Sequence, residues 1–275
     1  IGSMKEHQRY FEVFENGQIT NKFIVVSNSY TKDFTEIIAG NDSGNLYVLH
    51  HDGTEMISFD TGDDIRGGIS VADLNDDGSV ELLFSGYDDM IHVWNPNTGT
   101  ELEGWPIDLG YNSLSGPITA DLDNDGDLDL IVMCSGTYKY LYWLTNQKIE
   151  TGVVSFTWDE TTKTSTYQPL LPEQFYMELV DFDNDGCLDW ISEWSYGHNQ
   201  YCKDGTKAFT VHQMDPTNSL NRNRKGMAVG DFNNDGHIDA FVAGASHGGV
   251  YWHGDGSATT FSSNNRTVVI ASGIT

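Results

Sequence analysis

The sequence predicts an all-β fold assembled from repeated sheets of four antiparallel strands. Three observations predict it. A ten-residue acidic segment recurs four times at near-constant spacing. Each copy runs into a short apolar stretch of strand length. Nothing between the copies sustains the hydrophobic period of a helix.

The acidic copies align without gaps. They are Ala72-Asp-Leu-Asn-Asp-Asp-Gly-Ser-Val-Glu81, Ala120-Asp-Leu-Asp-Asn-Asp-Gly-Asp-Leu-Asp129, Val180-Asp-Phe-Asp-Asn-Asp-Gly-Cys-Leu-Asp189 and Gly230-Asp-Phe-Asn-Asn-Asp-Gly-His-Ile-Asp239. Their first aspartates, Asp73, Asp121, Asp181 and Asp231, lie 48, 60 and 50 residues apart. A period of this size marks solenoids, propellers or arrays. The runs that follow are Leu82-Leu-Phe84, Leu130-Ile-Val-Met133, Trp190-Ile191 and Ala240-Phe-Val242. Polar or glycine-rich turns bound them, as strands require.

The second half of the unit repeats as well. Gly44 to Glu55 matches Met90 to Glu101, and later copies begin at Tyr140 and Gly249. Each reads as a strand and, in most copies, a glycine turn towards another strand. One unit is therefore strand, acidic loop, strand, turn, strand, turn, strand. Four antiparallel strands in roughly 50 residues is the blade of a β-propeller.

A fainter copy precedes these, with Phe23 to Asn28 leading into Ser29 to Gly40. Tyr30 and Lys32 stand there in place of acids, and the loop glycine is missing. This copy is expected to keep its strands and to hold no ion. The units run approximately over 23–67, 68–114, 115–175, 176–225 and 226–268. Residues 10–22 and 269–275 read as parts of a further blade, and residues 1–9, with Gly2-Ser3-Met4, as a tag or leader remnant. Whether the two ends complete one ring or belong to a larger propeller stays open.

Composition narrows the function. The chain has 275 residues, 14 basic and 41 acidic, for a net charge of −27. That excludes nucleic-acid binding through a basic surface and disfavours an anionic membrane. No apolar run is long enough to span a bilayer, and no signal-peptide core is present. Apolar residues make up 38 %, too many for a disordered acidic tail. Three cysteines, Cys134, Cys187 and Cys202, form no disulfide framework and no metal-binding pair spacing. Two unpaired thiols at Cys187 and Cys202 are favoured over a bond across a hairpin. Asn41-Asp-Ser43 and Asn265-Arg-Thr267 match the glycosylation pattern, which matters only in a secreted eukaryotic protein.

The loops carry the chemistry. Counting from the first aspartate, side-chain oxygens fall at positions 1, 3, 5 and 9, and glycine always at position 6. A hard divalent cation such as Ca²⁺ takes six to eight oxygens from a tightly curled loop. Positions 1, 3 and 5 supply side chains, position 7 its backbone carbonyl, and position 9 a closing acid. The expected sets are Asp73, Asn75, Asp77, Ser79 and Glu81; Asp121, Asp123, Asp125, Asp127 and Asp129; Asp181, Asp183, Asp185, Cys187 and Asp189; and Asp231, Asn233, Asp235, His237 and Asp239. Position 8 is always aliphatic and position 2 always Leu or Phe, expected to pin each loop to the core. An EF-hand is excluded, because position 12 is not acidic and strands follow the loops. Carboxylates this close repel one another without a cation. About four Ca²⁺ per chain are expected, in a structural role.

The pattern Asp-x-[Asp/Asn]-x-Asp-Gly-x-x-[Asp/Glu] between strands resembles the FG-GAP and VCBS repeats of integrin-type β-propellers. Val250 to Ser257 and Ile270 to Thr275 fit the same units. The resemblance spans roughly residues 23 to 275 and implies calcium at the four loops. In that family such propellers occur in adhesion receptors, lectins, polysaccharide lyases and large secreted surface proteins. It implies a non-catalytic, extracellular or cell-surface binding module for a glycan or protein ligand. Trp105 and Trp158 are the candidate ligand-stacking residues; the other tryptophans are read as sheet-packing residues. Two alternatives remain open: a carbohydrate-active enzyme such as a lyase, its base drawn from His198, His212, His237, His247 or His253, and a purely architectural segment.

Overall fold

The structure is a computed structural model. It describes residues 13–15, 18–20, 24–31, 34–50, 52–65, 68–113, 115–135, 139–152, 154–157, 164–166, 177–192, 195–199, 209–213, 224–244, 248–257, 261 and 266–269. The described chain is β-structure with a single helical turn, α1 (Lys148–Thr151). Among the described residues no helix is long and apolar enough to cross a membrane.

A two-stranded hairpin, β1 (Val13–Glu15) and β2 (Gln18–Thr20), comes first. Five antiparallel sheets follow in chain order. The first holds β3 (Ile24–Thr31), β4 (Phe34–Gly40), β5 (Asn45–Leu49) and β6 (Glu55–Asp60). The second holds β7 (Ser70–Ala72), β8 (Glu81–Ser85), β9 (Met90–Asn95) and β10 (Thr100–Glu101), with β11 (Ile107–Asp108) also on β9. The third is built on β12 (Ile118–Ala120), β13 (Asp129–Ser135), β14 (Lys139–Asn146) and β15 (Phe156–Thr157); β16 (Thr164–Thr166) comes next in the chain. The fourth holds β17 (Met177–Val180), β18 (Asp189–Ser192), β19 (Ser195–Asn199) and β20 (Phe209–Gln213). The fifth holds β21 (Arg224–Gly230), β22 (Asp239–Gly244), β23 (Gly248–Trp252) and β24 (Arg266–Val269). Within each sheet the first four strands hydrogen-bond in sequence order, so short turns suffice to connect most of them.

Two compact units divide the chain, one of residues 1–119 and 127–158, the other of 120–126 and 159–275. In the first unit, the apolar run of β8 explains the packing. Alternate residues of a strand point to opposite faces. Leu82 and Phe84 join Ile38, Leu46 and Val48 of the first sheet, while Leu83 joins Leu130, Val132 and Tyr142 of the third. A strand buried on both faces has no polar alternation to show, which is why this run reads as continuously apolar. β9 divides the same way, with Trp94 towards the first sheet and Ile91 and Val93 towards the third. The chain entering β7 comes so close to the chain entering β12 that a Cβ on Gly116 would lie 2.7 Å from the Gly68 carbonyl oxygen. Glycine at 116 is therefore a packing requirement. In the second unit, Phe182 and Ile191 pack with Ala240, Val242, Val250, Trp252 and Phe261.

Four tryptophans, Trp94, Trp143, Trp190 and Trp252, are buried within the sheets. Cys134 and Cys187 are also buried. Cys202, Trp194 and residues 1–9 lie outside the described residues.

Candidate metal centre: four acidic loops

Each acidic loop joins the first strand of a sheet to the second, and all four curl alike. The carboxylate at position 1 accepts two backbone N–H groups of its own loop. Asp77 and Gly78 donate to Asp73 at 3.1 and 2.9 Å, and Asp125 and Gly126 donate to Asp121 at 3.1 and 3.2 Å. Asp181 receives Asp185 and Gly186 at 3.0 and 2.9 Å, and Asp231 receives Asp235 and Gly236 at 3.0 and 2.9 Å. Two residues per loop are left-handed. Glycine at position 6 has φ between 84° and 101°, where a side chain is strained. Position 4, which is Asp76, Asn124, Asn184 or Asn234, has φ between 53° and 62°. Asp and Asn tolerate this conformation better than other side-chain-bearing residues. Their recurrence at position 4 was visible in the sequence, and its conformational meaning was not read there.

The acid at position 9 is fully buried in every loop: Glu81, Asp129, Asp189 and Asp239. Its carboxylate ties the loop to the sheet. One oxygen accepts the N–H of position 2, from Leu74 (3.0 Å), Phe182 (3.3 Å) and Phe232 (3.0 Å). The other accepts an N–H at the end of the sheet's third strand, from Asn146 (2.9 Å), Asn199 (2.9 Å) or Gly254 (2.8 Å). In the first loop the Asn95 amide reaches Glu81 instead, at 3.3 Å. Asparagine at this strand end is a second signal that the sequence reading missed. A third is Tyr251, whose hydroxyl donates to Asp239 and whose own proton is held to about 12, by burial first and the Asp239 hydrogen bond next.

Electrostatics follow from the crowding of acids in the loops. Burial pushes the Glu81 carboxyl up to about 7, and the charges of Asp77 and Asp73 add to it. Asp77 and Asp235 are held below the usual range, chiefly by the N–H groups of Ser79 and His237. In the second loop, oxygens of Asp121, Asp123 and Asp125 all lie within 4.8 Å of one another, and in the third those of Asp181, Asp183 and Asp189 do so. Six to eight oxygens at 2.3–2.6 Å from one Ca²⁺ require this kind of crowding. At positions 1, 3, 5 and 9 these two loops carry four carboxylates, whereas Asn75 and Asn233 reduce the first and fourth to three.

The position-7 residues differ in what their side chains do. The Asp127 carboxylate turns away to accept the Ile149 N–H of α1 at 3.1 Å. The Cys187 thiol is buried, while His237 is half-buried beside Gly256. Position 2 holds one correction. Leu74, Leu122 and Phe182 are 2 %, 0 % and 0 % exposed, and they pin their loops as expected. Phe232 is 52 % exposed and does not. Its ring lies 6.1 Å from that of Tyr251, and Tyr251 packs edge-on against His253 at 4.3 Å. Trp105 is half-buried and meets Phe156 edge-on at 5.2 Å, packed against the core. Trp158 and the whole Asn28–Glu36 loop's side chains lie outside the described residues.

This arrangement defines a class, a repeat protein of antiparallel four-stranded sheets, four of which carry an acidic loop between their first two strands. A family model described as FG-GAP-like repeat matches residues 73–132 and 121–192, so the chain carries FG-GAP-like repeats at two places. A second family model, the glycyl-tRNA synthetase beta subunit, matches residues 1–44. Glycine–tRNA ligase beta subunits are similar over short stretches of this chain. The subunit of Colwellia psychrerythraea is 56 % identical over 43 residues, which is 15 % of this chain and 6 % of the relative. That of Helicobacter pylori is 54 % identical over 46 residues, 15 % of this chain and 7 % of the relative. The chain thus spans 6–7 % of the length of these curated relatives. Among solved structures, a chain from the structure of BBS1N in complex with ARL6DN aligns at a TM-score of 0.46 and 15 % identity, over 88 % of this chain and 65 % of that one. Chaetomium thermophilum Raptor aligns at 0.47 and 12 % identity, over 95 % of this chain and 22 % of that one. Scores below 0.5 bear no weight on function.

Proposed function

We propose that this chain is a calcium-stabilised β-propeller module that binds a glycan or protein ligand without catalysis. The observation that carries the reading is the crowding of carboxylate oxygens in the second and third loops, each set within 4.8 Å. The donor set is all oxygen, on a short loop with glycine at its tightest bend, which fits a hard cation better than a thiolate- or imidazole-seeking one. Residues 1, 3, 5 and 9 of each loop would hold the ion by side chain, and residue 7 by its carbonyl. When bound, the ion neutralises the loop's carboxylates and fixes its curl. The role is structural, because the ligating acids are also the groups that fasten each loop to its sheet.

Loops of this kind suit extracellular calcium, for which modules bind at about 10⁻⁴–10⁻³ M. The acidic surface agrees with that setting, and we place the module outside the cell or on its surface. Its ligand would meet the loops and the half-buried aromatic residues near them. Calcium titration of chelator-stripped protein, followed by a metal count, tests the reading: about four ions per chain are expected. Glycan arrays and pull-downs run with calcium present test the ligand. Silence in both would remove the binding role and leave an architectural one.

A further inference from the structure

Neighbouring sheets pack by one rule. Counting on from the closing acid, positions 10 and 12 face the preceding sheet, while positions 2 and 11 face the following one. In the first compact unit, Ile38 of the first sheet, in the register of position 11, shares a core with Leu82 and Phe84 of the second. Leu74 and Leu83 of the second sheet share a core with Leu130 and Val132 of the third. In the other compact unit, Phe182 and Ile191 of the fourth sheet share a core with Ala240 and Val242 of the fifth.

The fifth sheet carries the same forward positions and leaves them open. They are Phe232 and Phe241. Phe232 is 52 % exposed and Phe241 half-buried, whereas Leu74, Leu83, Phe182 and Ile191 are all buried. Tyr251 stands opposite Phe241 on β23 and 6.1 Å from the Phe232 ring, so it widens the apolar face. A Cβ on Gly249 would run into the Phe241 ring, so glycine there lets the ring lie down on the sheet. The first sheet shows the reverse. Ile38, Leu46 and Val48 fill its forward core, while Ile37, Tyr47 and Leu49 alternate with them and are half-buried. β5 therefore alternates between buried and half-buried residues, whereas the central four residues of β9 are all buried.

We propose that the Phe232 face of the fifth sheet docks the first sheet of a second copy of this chain, head to tail, through Ile37, Tyr47 and Leu49. The contact continues the rule that three sheet pairs within the chain obey, a forward face covered by the backward face of a sheet of the same repeat. It joins two different surfaces, so copies add in one direction and form a ring or a filament. Each copy carries a net charge of −27, and the copies repel. Salt screens that repulsion and leaves the apolar contact intact, so added salt tightens the association.

The test is analytical ultracentrifugation of the full chain, with calcium present, over a wide range of protein and salt concentrations. The wild type should associate, and more tightly as salt rises. Phe232 is exposed, so F232D should keep its fold and weaken association about tenfold or more. L49D should do the same from the other side, and Y47D replaces it if L49D folds poorly by circular dichroism. An equal mixture of F232D and L49D chains retains one good face of each kind, and should give a one-to-one dimer that grows no further. A wild type that stays monomeric overturns the proposal. So does F232D association equal to that of the wild type, or a mixture that forms no dimer. A monomeric wild type whose glycan-array signal is lost in F232D would give the face to a sugar instead.

Discussion

At the scale of single residues, local backbone demands decide most of the loop pattern. Position 6 must be left-handed, with φ of 101° at Gly126 and 90° at Gly186. A side chain there costs about 1–2 kcal/mol. Gly126→Ala is therefore expected to lower stability by roughly that amount in a urea melt, with or without calcium. Asn124→Gly at the neighbouring left-handed position should be tolerated, because glycine adopts this conformation freely. A different residue-scale device sits in the second sheet. His92 is buried, stacked on Phe84 with centroids 4.8 Å apart, and both ring nitrogens face carboxylates: Nδ1 meets Glu101 at 2.6 Å and Nε2 meets Asp88 at 2.7 Å. Only the imidazolium can donate to both. Burial works against that charge, but the Asp88 and Glu101 hydrogen bonds outweigh it and raise the His92 pKa from 6.5 to about 9. A base raised on folding contributes stability that is whole below its unfolded value and lost as pH climbs through its folded one. Wild-type stability should fall as pH rises from 6.5 through about 9. His92→Gln should lose about 1.5–3 kcal/mol near neutrality, and its gap to wild type should close above that range. Parallel melts across pH check this; a gap that does not narrow would refute the imidazolium.

At the scale of elements, strands buried on both faces carry the stability. Leu83 is fully buried within the core shared by the second and third sheets. Leu83→Ala should cost about 2–5 kcal/mol in denaturant unfolding. Gly116→Ala should also destabilise, since its Cβ would meet the Gly68 backbone and not a side chain able to swing aside. Most of this layer was legible. The strand runs, the hairpin turns and the acidic loops announced themselves through repetition, because every unit must solve the same burial problem. What was not legible depended on contacts made across units. The position-2 rule failed at Phe232 although, like Phe182, it is a phenylalanine that follows the first aspartate of its loop. Exposure there is decided by what packs over the loop, which no local pattern records. The asparagines at 146 and 199 were hidden for the same reason, as each acts on a loop more than 70 residues earlier.

At the scale of the whole chain, two stretches match families of different kinds. The FG-GAP-like match covers 73–192, while residues 1–44 resemble a synthetase subunit. The faint first copy, with Tyr30 and Lys32 at acidic positions, falls within that N-terminal stretch. Its strand β3 nonetheless pairs with β4, and β4 with β5, because strand pairing uses backbone groups common to every sequence. The loop chemistry cannot be shared so cheaply, which is why it marks the later units alone.

In the proposed reading, calcium contributes to the stability of the repeat array. At a tenfold excess over Kd each ion adds about 1.4 kcal/mol, and four add roughly 5–6 kcal/mol. The most direct measurement is the melting temperature of the same sample with millimolar calcium and with chelator, beside a metal count by native mass spectrometry. About four ions and a rise on the order of 10–20 °C are predicted. Identical melting curves with no bound ion would contradict the account.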